Sequence, residues 1–148
     1  MLESLLAAIE ASAPARALRT SFVAYPLVNA AHVLGAGGLV ASVWFMHLAF
    51  AGRGPFAGAP DLGRMFRRSA VVALVLMAVT GLTLFSVKAG DYAANAAFRV
   101  KMALIFGALA NVALFHVAAS RGLRRTATIV SCLSWPSVLL AGRFIAFL

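Results

Sequence analysis

Residues 22–50 read FVAYPLVNAAHVLGAGGLVASVWFMHLAF, a run of 29 residues without one Asp, Glu, Lys or Arg. A helix crosses the hydrocarbon core of a bilayer with about 20 apolar residues. This stretch therefore reads as a membrane span, long enough to tilt or to carry a polar-lined interior. Working outward from it, similar runs recur at about 69–87, 98–119 and 128–148. Gly52, Gly54, Pro55, Gly58 and Pro60 break the chain after the first span. The segment from Lys88 to Tyr92 turns it after the second, and Arg121, Arg124 and Arg125 mark the turn after the third. Upstream, Leu2, Leu5, Leu6 and Ile9 recur at helical spacing between Glu3 and Glu10, and Pro14 breaks the pattern. No basic residue precedes that short apolar patch, so residues 2–19 read as a surface-lying amphipathic helix and not as a secretory signal. The expected fold class is all-α: one integral membrane domain over 1–148, a four-helix bundle with a short N-terminal amphipathic interfacial helix.

Composition agrees with that reading. Hydrophobic residues make up 63% of the 148 and charged residues 11%, against about a quarter charged in soluble domains. The net charge of +9, from 13 bases and 4 acids, does not point to nucleic acid. Nucleic-acid binders carry basic stripes on a polar surface, whereas these bases sit between apolar runs. One cysteine excludes a disulfide framework and any multi-cysteine metal site. The turns after spans one and three hold Arg53, Arg64, Arg67, Arg68, Arg121, Arg124 and Arg125, and the opposite side holds Arg16, Arg19, Lys88 and Arg99. The positive-inside rule then puts both termini outside, and counting Lys101 and Arg143 narrows the bias.

Ionisable groups inside a span are costly and are functional hypotheses by default. His32, His47, Lys101, His116 and Arg143 fall in the apolar segments, with Asn29 and Asn111 as neutral polar company. No carboxylate lies in any span, so the intramembrane cations lack a protein anion. His32 and His47 are 15 residues apart, about 22 Å along a helix and about 60° apart around it. Met102 and His116 are 14 apart, about 21 Å and about 40°. Each pair shares a face, so adjacent first and third spans would set His47 opposite His116 and His32 opposite Met102.

That layout suits haem b, held between bundle helices by His–His or His–Met ligation, with Lys101 and Arg143 facing propionates or a quinone head group. Gly35, Gly37, Gly38 and Ser42 offer a flat face to a porphyrin, although such faces more often serve helix packing. The alternative cofactor is copper or another metal, carried by His32, His47 and His116 with Met77 and Met102. A third reading is a small structural subunit of a larger membrane complex or a homo-oligomer. No phosphate loop, catalytic triad or HExxH marks an enzyme, so a carrier or binding protein with a redox partner is the stronger expectation. Cys132 reads as an inert buried thiol, Trp44 as part of an aromatic belt, and Pro136 as a kink in span four.

Several stretches together resemble a family of small, uncharacterised four-span membrane proteins of bacteria. They are Ala17-Leu18-Arg19-Thr20-Ser21, Tyr25-Pro26-Leu27-Val28, Ala31-His32-Val33-Leu34-Gly35 and Thr80-Gly81 with Leu84-Phe85. Further along come Tyr92 to Asn95, Ala97-Phe98-Arg99-Val100-Lys101, Asn111 with Phe115-His116, and Ala141-Gly142-Arg143-Phe144-Ile145. The resemblance implies a multi-pass protein of the bacterial inner membrane, with periplasmic termini on the charge argument above. Its polar positions here are His32, Lys101, Asn111, His116 and Arg143. Where the family pattern has an acidic-Leu-Arg sequence at the end of span one, this chain has Met46-His47-Leu48-Ala49, which sets His47 outside the shared pattern. A looser similarity is to small haem-binding or copper-handling membrane proteins with a histidine followed by small residues in the first span.

Overall fold

The computed structural model describes residues 1–51, 59–117, 119–145 and 147. The glycines and prolines expected as a loop at 52–58, and Arg53 with them, lie outside the described residues. Seven helices and no strand form among those described: α1 Leu2–Glu10, α2 Ala13–Thr20, α3 Ala24–Phe50, α4 Pro60–Val87, α5 Ala89–Ala94, α6 Ala96–Val117 and α7 Arg121–Phe144. Four of them (α3, α4, α6 and α7) are long and apolar enough to cross a membrane. The chain is thus an all-α bundle of the multi-pass kind.

Each helix starts where the local chemistry permits. Pro60 stands at the first position of α4, where its missing N–H is no loss, and Asp61 follows in the first turn, where the helix dipole favours an anion. The Asn95 side chain accepts the Phe98 N–H at 3.0 Å and opens α6, and the Ser120 hydroxyl accepts the Leu123 N–H at 3.2 Å and opens α7. Two boundaries differ from the sequence expectation. α4 begins at Pro60 and α7 at Arg121, so Arg64, Arg67, Arg68, Arg124 and Arg125 ride on the opening turns of helices instead of loops. Hydropathy ends a span where the charges begin, but a helix continues through arginines whose stems reach along it to the headgroups.

The N-terminal segment is two helices, not one. Pro14 falls in the first turn of α2, and the break lies just before it. Both helices dock on the bundle: Ala15 and Leu18 are buried, and the Glu10 carboxylate accepts the Gly90 N–H at 2.8 Å at the start of α5. The Arg19 guanidinium donates to the Glu10 carbonyl oxygen.

Packing runs α4–α3–α7–α6, with the most extensive contacts within the α3–α4 and α6–α7 hairpins and α3 against α7 joining the two. Spans one and three are therefore not packed side by side. Gly35 lets the first hairpin pack closely: a Cβ there would lie 3.1 Å from Met77 Cγ and 3.4 Å from Leu76. Ala36, Leu39, Val43, Met77, Ala108 and Trp135 form the core.

The joint between hairpins follows from one residue. α7 runs through Pro136 without interruption, and a proline there cannot donate to the carbonyl of Cys132 four residues earlier. In hydrocarbon that acceptor must find another donor. The Trp44 indole N–H of α3 supplies it at 2.9 Å. Trp44 is thus a bond between hairpins, where the sequence suggested an aromatic belt. The Asn111 amide donates to the Ala127 carbonyl at 2.8 Å and ties α6 to α7 in the same way.

Candidate functional site

α3 sets His32 against α4. Thr80 Oγ1 lies 2.9 Å from His32 Nδ1 and 2.6 Å from the Leu76 carbonyl. The hydroxyl has a single proton and a carbonyl can only accept, so the threonine donates to Leu76 and accepts from Nδ1–H. That network assigns the tautomer, and the lone pair then sits on Nε2. Gly81 makes room for the ring: a Cβ at that position would lie 3.1 Å from His32 Cε1. Thr80 was not among the residues singled out as candidates. His32 lies 18 residues before the end of α3 at Phe50 and Thr80 lies 20 after the start of α4 at Pro60, so counting along the two helices sets them at about one level.

Lys101 stands two turns into α6, half-buried. Its stem packs on Gly142 of α7, with Nζ 3.3 Å from where a Cβ would be. Among the described residues its ammonium has no hydrogen-bond acceptor and no carboxylate. It is the charged group whose field reaches the His32 ring. Three aromatic rings close the same end of the bundle. Phe85 and Phe98 stack at 5.4 Å, and Tyr92 lies 6.3 Å and 5.8 Å from them. Burial, and then the neighbouring Tyr25, push the Tyr92 phenol up to about 12.

The other candidates are not gathered there. His47, near the far end of α3, meets Phe115 edge-on at 6.0 Å, and its Nε2 is buried without a partner among the described residues. His116 is exposed and donates from Nδ1 to the Val112 carbonyl of its own helix at 2.8 Å. Phe115 stands edge-on to both rings, so no direct pairing of His47 with His116 forms. Asn111 is committed to Ala127. Arg143 is exposed and lies over the Phe147 ring at 5.4 Å. Met102 is half-buried on α6, a helix that packs on α7 and not along α3. The small-residue face of α3 is shared out: Gly35 lies against α4, whereas Gly37 opens outward.

His32 and Lys101 therefore offer one imidazole lone pair held in a fixed orientation and one ammonium without an anion among the described residues. Compared with known protein families, curated proteins and solved structures, the chain matches none.

Proposed function

We propose that this chain holds a b-type haem within the membrane, with His32 Nε2 as an axial ligand and Lys101 opposite a propionate. The observation that carries the reading is the chain His32 Nδ1–H to Thr80 to Leu76 carbonyl. Histidines that bind a metal through one nitrogen characteristically donate the other N–H to an oxygen, which fixes tautomer and ring direction. The unpartnered Lys101 ammonium supplies the charge-assisted hydrogen bonds that a propionate in a low-dielectric setting requires. When bound, the group provides a one-electron couple suited to passing electrons to a redox partner protein or quinone. His32 orients it, Lys101 neutralises it and the Phe85–Tyr92–Phe98 cluster shields that end from water. His47 and His116 lie at the other depth and stand outside the site.

The competing metal-path reading needs ions caged by protein side chains alone. Among the described residues no group of three or more His, Cys, Asp or Glu forms, so methionines such as Met77 would have to complete a copper site. The reading also places the chain in a bacterial inner membrane with periplasmic termini. Arg64, Arg67 and Arg68 on α4 gather at one end of the bundle with Arg121, Arg124 and Arg125 on α7, as the positive-inside rule orders them.

The test is an absorption spectrum of the purified protein after haem-supplemented expression, oxidised and then reduced with dithionite. A Soret band that is lost in His32→Ala, and retained with about 10- to 100-fold weaker haem affinity in Thr80→Val, is expected. A wild-type protein without a Soret band, or one that keeps it in His32→Ala, overturns the proposal.

A further inference from the structure

Along the α3–α4 hairpin, beginning within one helical turn of His32, runs a groove of about 430 Å³. Its floor is made of small residues, with Gly35 and Gly38 on α3 and Ala73 on α4, and Leu34 and Val72 rise as exposed walls beside it. The apolar floor alone says only that a hydrocarbon chain fits. What sets this groove apart is a polar group at one end that the protein leaves without a partner. Ser42 is only 8% exposed, lines the groove, and makes no hydrogen bond among the described residues. A serine in a helix ordinarily bonds back to the carbonyl four residues earlier, as Ser134 does here to Val130 at 2.7 Å. Ser42 does not. Ser69, across the groove on α4, is likewise without a partner among the described residues.

The charge lies at the same end. Arg68 also lines the groove. Asp61 pairs with Arg64, and Arg68 has no carboxylate among the described residues. The hairpin therefore presents, in order along its axis, a guanidinium, two free hydroxyls and an apolar channel.

We infer that this groove is a specific seat for an anionic phospholipid. The phosphate faces Arg68, the ester carbonyls accept from Ser42 and Ser69, and one acyl chain lies over Gly38 and Gly35. Charge complementarity selects the headgroup, since basic pockets between membrane helices favour anionic lipids over zwitterionic ones. The small floor selects for a chain lying flush against the backbone. The seat uses none of the side chains assigned to the cofactor, although Leu76, whose carbonyl accepts from Thr80, also lines the groove.

The experiment titrates detergent-purified full-length protein with phosphatidylglycerol or phosphatidylcholine and counts retained lipid by native mass spectrometry. Wild type retains one phosphatidylglycerol in preference to phosphatidylcholine. Arg68→Gln weakens that binding about fivefold, the effect of one basic residue beside an anionic headgroup. Gly38→Leu, whose side chain fills the floor, weakens it as well. Arg125→Gln, which removes the same charge from α7, leaves it unchanged. Val72→Trp closes the groove from its exposed wall without entering the α3–α4 contact, and decides the matter if Gly38→Leu lowers the melting temperature. Equal retention of the two lipids, equal loss in Arg125→Gln, or a groove variant or Arg68→Gln that binds as wild type overturns the inference.

Discussion

The two ends of this bundle meet the same physical problem and resolve it differently. Where α7 meets α3 and α6, two polar groups inside the apolar region are matched across helices: Trp44 covers the carbonyl that Pro136 strands, and Asn111 covers that of Ala127, whereas His47 Nε2 nearby stays without a partner among the described residues. Where α4 leads through α5 into α6, matching is incomplete. His32 has one nitrogen engaged and one not, and Lys101 has no acceptor among the described residues. An unmet polar group in hydrocarbon costs free energy comparable to a lost hydrogen bond or more. The first end uses its polar groups to fix helix against helix. The second keeps them in reserve for something that is not protein.

The largest expected effect tests that division directly. Lys101→Met removes an ammonium with no partner, so it should stabilise the cofactor-free protein by about 1 to 3 kcal/mol. The same variant should hold haem more weakly. Thermal melts with and without haem measure both, and a Lys101→Met protein less stable than wild type in the cofactor-free form would break the contrast. Next in size is Trp44→Phe, which should cost about 1 kcal/mol because it strands the Cys132 carbonyl. In a Pro136→Ala background position 136 regains its own N–H and the same substitution should cost less. A double-mutant cycle that shows no coupling would detach Trp44 from the proline. Asn111→Leu follows at about 0.6 kcal/mol, the usual size of a hydrogen bond between membrane helices. It should leave any haem spectrum unchanged.

The smallest effect lies at the aromatic end. The Tyr92 phenol ionises near 10 in an unfolded chain and near 12 in the folded one. The unfolded state gives up its proton first, so this stabilisation is whole below about pH 10 and is lost as pH rises toward 12. Melting temperatures at pH 9 and pH 11 should therefore diverge less in Tyr92→Phe than in wild type.

The four spans were legible because a run such as 22–50 has only one comfortable solvent. Their neighbours were not. α3 and α6 are apolar all round, and in lipid a face turned to another helix need not differ in hydropathy from one turned to acyl chains. Adjacency of spans one and three was therefore a free choice for the sequence, and the fold chose α4 and α7 as partners of α3. That choice separates His32 from Met102 and sets His47 against Phe115. The polar matches carried more signal than hydropathy did. Pro136 names the Cys132 carbonyl by arithmetic alone, and the search for its donor leads to the few N–H groups at that depth. Lys101 was legible as a cation without an anion and remains one among the described residues, whereas Arg143, next to the last residue of α7, reaches out to Phe147.

The joint at Pro136 also makes the protein its own reporter. Its two tryptophans, Trp44 and Trp135, both sit where α3 meets α7, one bonded across the contact and the other buried in it. The whole of the intrinsic indole fluorescence therefore originates at the seam between the two hairpins. Separation of the hairpins would strip Trp44 of its hydrogen bond and move Trp135 from the core into lipid at once. An emission spectrum recorded during refolding follows the docking of one half on the other, with no label added.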